Sequence, residues 1–254
     1  GAPIIMVHGN PSWSFLYRRL VGELRGNHRV IVPDHMGCGL SDKPGDDRYA
    51  YRLKDRIDDL EALVESLHLD QPLTLVVHDW GGAIGMGFAA RHPDRIARLI
   101  VFNTAAFGLP AGRAFPWPLY VFRNCAWGEW LNQQLNAFAV ITACTSTCSP
   151  MSSTVYNGFV GPYDSPPNRL AVTRFVQDIP LCECDSSFED LQKAEAGLRH
   201  FEETPMLICW GRRDFIFDRN FYNEWLRRFP KAEAYSFSDA GHYVLEDAGA
   251  RIFP

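Results

Sequence analysis

Three things missing from the sequence narrow its reading. It has no C-x-x-C pair, no excess of basic residues, and no apolar run near the roughly 18 residues that a membrane-spanning helix requires. The first absence bears on the seven cysteines. Their number is odd, neither Cys182/Cys184 nor Cys144/Cys148 has a second half at ligand spacing, and 254 residues need no covalent staples. Reduced thiols are therefore expected, with no metal and no cofactor. The net charge of -5 gives no reason to expect a nucleic-acid partner or an anionic membrane. With no apolar span and no signal peptide, a cytoplasmic location is expected. Repeats and low-complexity tracts are also lacking. The chain opens without Met, directly in a strand-like run, and stops soon after a helical pattern begins at Arg251-Ile252-Phe253-Pro254. It reads as trimmed at both ends.

What is present has a clear order. Short β-rich runs, Ile4–Val7, Arg29–Val32, Leu73–His78, Leu99–Phe102, Met206–Trp210 and Ala234–Phe237, alternate with helical patterns. That alternation predicts a mostly parallel sheet with helices on both faces, each strand buried on both sides. Leu53, Ile57, Leu60, Leu63 and Leu67 make Tyr51–His68 amphipathic at helical spacing. Ala83–Arg91 is small and apolar almost all round and should be a buried helix, and Arg219–Phe229 reads as a surface helix. From Phe107 to Leu181 the pattern breaks. Prolines and aromatics are scattered there with no long strand, although Leu170–Asp178 is helical. The expected organisation is an α/β core of residues 1–106 and 182–254 with a helical cap, 107–181, inserted.

The chemistry concentrates at Val77-His78-Asp79-Trp80-Gly81-Gly82. A strand ends there and a small-residue helix starts at once, the setting of a nucleophile elbow, whose flanking small residues let one side chain project. The projecting residue is Asp79. Taken alone, it could equally be an acidic N-cap. The loop His8-Gly9-Asn10-Pro11 follows the first strand, where this architecture supplies an oxyanion-hole N–H, the other coming from Trp80. The amide of Asn10 can also hold an anion. His242, in Ala240-Gly241-His242-Tyr243 after the last strand, is placed as the base. Asp214, just past Met206–Trp210, would orient the imidazole, with Asp218 and Asp239 as competitors. Asn103 ends another strand from which an acid can come, but it carries no charge.

At these residues the chain resembles the haloalkane dehalogenase-like branch of the α/β hydrolases. His8-Gly9-Asn10-Pro11, Asp34-x-x-Gly37-x-Gly39-x-Ser41-Asp42, His78-Asp79-Trp80-Gly81-Gly82, Asp214 and His242 all match, and the likeness runs through essentially the whole chain except the cap. By that resemblance the opening strand is the fold's third. Within the branch, the runs Pro33–Pro44, Arg174–Leu181 and Gly241–Asp247 are most similar to the β-lactone decarboxylases of bacterial long-chain olefin synthesis.

The resemblance implies Asp79, His242 and Asp214 as catalytic residues and Asn10 and Trp80 as anion-binding ones. It implies a hydrophobic small-molecule substrate and, as partners, sister enzymes of the olefin pathway. The expected reaction is decarboxylation of a long-chain β-lactone to a cis-alkene through an alkyl ester on Asp79. The alternative is hydrolytic dehalogenation of a haloalkane. Less favoured are an epoxide hydrolase, which would need a cap tyrosine such as Tyr120 or Tyr156 as acid, and a non-catalytic binding protein. The aromatics Phe107, Phe115, Trp117, Tyr120, Phe122, Trp127, Trp130, Phe138, Phe159 and Phe175 fit an apolar pocket, with at least half of them expected to pack the cap itself.

Overall fold

Six parallel strands, β1 (Pro3–Val7), β2 (Arg29–Ile31), β3 (Leu73–Asp79), β4 (Ile96–Thr104), β5 (Met206–Gly211) and β6 (Glu233–Phe237), form one sheet in the order β2-β1-β3-β4-β5-β6. The structure, a computed structural model, describes residues 1–253. All six runs foreseen in the sequence are strands, differing by a few residues at their ends, and the expected parallel sheet with helices on both faces is present.

Alternate residues of the strands feed two cores, as the two-residue period of a strand requires. Ile5 and Val7 of β1, Leu75 and Val77 of β3, and Ile208 and Trp210 of β5 pack into one hydrophobic cluster. It is shared with helices α2 (Leu53–Ser66) and α3 (Trp80–Arg91). Ile4, Met6, Val76 and Cys209 face the other cluster, beside Leu20 of α1 (Arg18–Leu24). The expectation of double burial holds for the inner strands and fails at the edges. Arg29 of β2 is exposed, as are Glu233, Ser236 and Tyr235 of β6. An edge strand lacks a neighbour on one side, and polar and charged side chains there discourage pairing with another chain.

Between β4 and β5 the described residues contain no strand. The segment holds α4 (Trp117–Asn124), α5 (Ala126–Leu135), α6 (Ala137–Thr145), α7 (Ser153–Val160), α8 (Leu170–Gln177) and α9 (Phe188–Gly197). Asp178, at the end of α8, is buried and accepts hydrogen bonds from the Leu53 N–H (2.7 Å), the Ser187 hydroxyl (2.7 Å) and Arg52 (3.1 Å). One carboxylate thus satisfies an orphan donor at the start of α2 and fastens the helical segment to the core. After β5 come α10 (Arg219–Arg228), then α11 (Val244–Asp247) and α12 (Gly249–Ile252) beyond β6.

One cysteine expectation is corrected. Cys182 and Cys184 are joined by a disulfide, and Cys38, Cys125, Cys144, Cys148 and Cys209 are free. The turn in which the Asp185 N–H donates to the Cys182 carbonyl (2.9 Å) brings the two Cα atoms to 5.3 Å, within bridging range. Ligand spacing says nothing about a pair only two residues apart.

The start of α3 lies so close to β1 that a Cβ on Gly81 would stand 2.0 Å from the Val7 carbonyl oxygen. Backbone cannot give way as a side-chain tip can. Gly81→Ala should therefore lower stability by about 1–3 kcal/mol, the usual range for overpacking, in urea denaturation. Unchanged stability would mean that α3 can lift off the sheet at no cost.

Candidate active site

β3 ends at Asp79 and α3 begins at the next residue, so the chain must reverse within one peptide. Asp79 does this at φ 52°, ψ −127°, a region that non-glycine residues seldom occupy. The surroundings enforce it. The Thr104 hydroxyl, at the end of β4, donates to the Asp79 carbonyl, and the Trp225 indole N–H donates to the Thr104 carbonyl (2.8 Å).

The turn aims the Asp79 carboxylate at the β1 loop. There the Asn10 N–H donates to Oδ1 at 2.6 Å, and the Trp80 N–H is a second donor. Gly9 makes the approach possible, since a Cβ at that position would lie 2.0 Å from Asp79 Oδ1. The loop is itself braced. The His35 N–H donates to His8 Nε2 (3.0 Å), which leaves the proton on Nδ1 to reach the Gly9 carbonyl (2.8 Å), while His35 Nε2 donates back to the His8 carbonyl (2.9 Å). Asp34 closes its own turn by accepting from Ser14 N–H (2.7 Å) and Leu40 N–H (2.9 Å). The Asp34–Asp42 motif is therefore scaffolding for the Asn10 loop.

On the other side of Asp79, His242 Nε2 stands 3.7 Å from Oδ2. Its Nδ1–H donates to Asp214 Oδ2 at 2.7 Å. Asp214 also accepts from the N–H groups of Ile216 (2.8 Å) and Phe217 (3.1 Å) and from the Asn103 amide (3.0 Å). The structure therefore brings Asp79, His242, Asp214, Asn10 and Trp80 together. Asp218 caps α10 and Asp239 pairs with Arg251, both away from the imidazole. Two residues gain parts that sequence reasoning did not give them. Asn103 clamps the turn after β5, donating to the Gly211 carbonyl (2.9 Å), accepting from its N–H (2.8 Å) and holding Asp214 as well. His78 donates from Nε2 to the His242 carbonyl (2.9 Å), with the two rings 4.5 Å apart. Only the place of His78 beside Asp79 hinted at this.

Electrostatics follow from burial. Burial raises the Asp79 carboxyl above its ordinary value, against the pull of His242 and of the Asn10 and Trp80 N–H groups. For Asp214 burial acts the same way, but the adjacent His242 and the Ile216 and Phe217 N–H groups outweigh it, and its pKa is lowered. His242 feels burial working against its charge, yet the Asp214 and Asp79 carboxylates prevail and raise it. For His78 burial and the neighbouring His242 ring outweigh the pull of the His242 carbonyl and of Asp214, and push it down to about 3, so it stays neutral beside the imidazole.

Asp79, Trp80, Asn10 and His242 line one cavity that encloses about 1290 Å³ of empty space, counting its open mouth. Its remaining wall is nearly all apolar. The aromatics singled out in the sequence divide three ways. Phe107, Phe115, Phe122 and Phe138 line the cavity, Phe159 and Phe175 are buried in packing, and Trp117, Tyr120, Trp127 and Trp130 are exposed. Neither Tyr120 nor Tyr156 lines the cavity. Asn10 Nδ2 spends one proton on the Val172 carbonyl (3.1 Å), leaving one for a ligand. Among the described residues, Cys182, Cys184 and Asp185 alone gather ligand-type atoms within 4.8 Å of one another, and the disulfide occupies both sulfurs.

The chain is similar to known proteins along nearly its whole length. A family model described as alpha/beta hydrolase fold matches residues 2–249. A cis-3-alkyl-4-alkyloxetan-2-one decarboxylase of Shewanella oneidensis is 50% identical over 99% of this chain and 80% of its own length. The protein of the same name from Xanthomonas campestris pv. campestris is 43% identical over 100% and 86%. Among solved structures, a haloalkane dehalogenase from Agrobacterium tumefaciens C58 superposes with a TM-score of 0.87 at 26% identity, covering 99% of this chain and 86% of that one.

Removing the Asn103 amide would leave the Gly211 N–H and one lone pair of Asp214 without their partner, and the Gly211 carbonyl with only the long bond from the Asp214 N–H (3.4 Å). Asn103→Leu should cost about 1–3 kcal/mol in chemical denaturation, the range for orphaning buried polar groups. A variant as stable as the parent would show that the clamp contributes nothing.

Proposed function

The chain belongs to the α/β-hydrolase fold family and is an enzyme of it, and on that premise we propose that it decarboxylates cis-3,4-dialkyl β-lactones to cis-alkenes. The observation that carries the reading is the 50% identity, along nearly the whole chain, to a decarboxylase named for that substrate. The carboxylate nucleophile at the base of an apolar cavity supports it.

Asp79 attacks sp³ carbon, for which a carboxylate suffices. Oδ1 is tied to the Asn10 N–H, so Oδ2 is the nucleophile. It bonds to the ring β-carbon with inversion while the bond from that carbon to the ring oxygen breaks, releasing a substrate carboxylate. The free Asn10 amide proton and the Trp80 indole N–H receive that anion. The bond to the carboxylate carbon then breaks, its electron pair forms the alkene, and Asp79 departs from the opposite face as CO₂ leaves. Inversion followed by anti elimination is net syn loss, so a cis ring gives a cis-alkene. Water is not consumed.

The charge at His242 explains why the ester survives. The Asp79 and Asp214 carboxylates hold its proton in the resting enzyme. Esterification of Asp79 removes one of those charges, but the opened lactone supplies another in the same place. The imidazolium stays favoured, and in that form His242 is no base for water. In a haloalkane dehalogenase the halide offers no fixed carboxylate, so the imidazole can lose its proton and activate water. The intact set Asp79, His242 and Asp214 is what favours hydrolytic dehalogenation as the second reading. An epoxide hydrolase lacks its acid here, because no tyrosine lines the cavity.

The test is a product assay with a cis-3,4-dialkyl β-lactone and with a 1-haloalkane. Alkene and CO₂ in equal amounts are expected from the lactone, and no halide from the haloalkane. Asp79→Ala should abolish alkene formation. His242→Ala should retain it within about tenfold, since no water needs deprotonating, whereas a dehalogenase so altered stalls as its alkyl-enzyme. Stoichiometric halide with no alkene would transfer the assignment to the second reading.

The pH profile has a stated sign. Asp79 must be ionised, and its pKa is raised, so kcat/KM should fall as pH drops through a value above that of an ordinary carboxylate. His242→Ala removes the neighbouring positive charge and should move that limb to higher pH. A limb that vanishes in His242→Ala would mean that neutral imidazole, not ionised Asp79, sets it.

A further inference from the structure

The four exposed cap aromatics fall on two consecutive helices. Trp117 and Tyr120 are three residues apart on α4, and Trp127 and Trp130 three apart on α5, so each pair shares a helix face. Trp117 is 77% exposed and the other three are each more than half exposed. Single exposed apolar residues mean little, but a group of large amphipathic rings does not arise from core packing. The opposite side of α4 is occupied, since Leu119 and Phe122 line the cavity.

Charge is nearly missing from this part of the chain. Between Phe107 and Tyr163 the only Asp, Glu, Lys or Arg residues are Arg113, Arg123 and Glu129. Each is paired with a residue from outside that stretch, Arg113 with Asp218 (3.1 Å), Arg123 with Asp185 (2.5 Å) and Glu129 with Arg174 (3.1 Å). The cavity is lined in part by the same segment, and its lining residues Leu109, Ile141 and, from beyond β5, Phe215 are each 41–49% exposed.

We propose that the α4–α5 face and the cavity rim dock on an uncharged, zwitterionic lipid surface, with the cavity mouth turned towards it. Trp and Tyr rings favour the boundary between headgroups and acyl chains, where one edge is apolar and the other wet. Within residues 107–163 no charge is left free to fix the register of a protein partner. Anionic lipid is disfavoured by the net charge of -5. The proposed contact lies in the interface plane, and among the described residues no helix is long and apolar enough to cross a membrane. That docking delivers a dialkyl substrate rests on the function proposed above; the docking itself does not.

The experiment is co-sedimentation of the resting protein with phosphatidylcholine vesicles, with tryptophan emission followed in parallel. Partition onto vesicles, a blue-shifted emission and insensitivity to added NaCl are expected. The triple variant Trp117→Ser, Trp127→Ser, Trp130→Ser should partition about tenfold less or weaker still. Its thermal unfolding and its turnover of a short-chain, water-soluble lactone should match the parent, because none of the three lines the cavity. Trp117→Phe, which keeps an apolar ring, should retain most of the binding. Absence of partition by the parent, or equal partition by the triple variant, overturns the proposal. So does self-association that the triple variant abolishes while vesicles bind nothing, which would assign the face to a second copy. Vesicle binding without alkene formation would instead sink the proposed reaction and leave the docking standing.

Discussion

Everything in the site depends on holding one negative charge, the Asp79 carboxylate, away from water at the end of a strand. Two backbone N–H groups and one imidazole face it. An ionised carboxylate so buried is tolerable only when its donors are fixed in advance. Much of the fold can be read as the means of fixing them. The left-handed turn at Asp79 aims the side chain, and Thr104 and Trp225 hold the turn. The reciprocal His8–His35 bonds place the Asn10 N–H, and the clamp from Asn103 through Asp214 places His242.

The same arrangement shows how one scaffold can serve either chemistry. Asp79 and Asp214 flank His242 on opposite nitrogens, and together they favour its proton. In the proposed reaction, whether the imidazole becomes a base depends on what replaces the charge of Asp79 once the ester forms. A substrate that brings its own carboxylate keeps the imidazolium, and one that releases a weakly held anion does not. The fate of the ester then rests on charge balance among the same residues, with no new catalytic group required.

The parts of this design carried by local pattern were legible in the sequence. The β3 run leading into Asp79-Trp80-Gly81-Gly82 marked strand, turn and helix at once, because only glycine fits where α3 presses on β1. All six strands could be found from apolar runs, yet the exposure of β2 and β6 could not, since it depends on which strands end up at the edges. Asn103 seemed only a missing acid. Its partners, Gly211 and Asp214, lie more than a hundred residues away, and no spacing rule reports such a contact. The cap aromatics were similarly opaque. Residue type favours a pocket for all of them, but only helix packing decides that Phe122 faces the cavity while Trp117 and Tyr120 face out.

Central to this account is an ester on Asp79 that is broken by elimination and never by water. Turnover of a β-lactone in ¹⁸O-enriched water, followed by mass analysis of the peptide that contains Asp79, tests it directly. The expected result is abundant alkene with that peptide at unchanged mass, because both carboxylate oxygens survive every cycle. Label accumulating in Asp79 as alkene forms would contradict the account, since it would mean that water attacks the ester carbonyl.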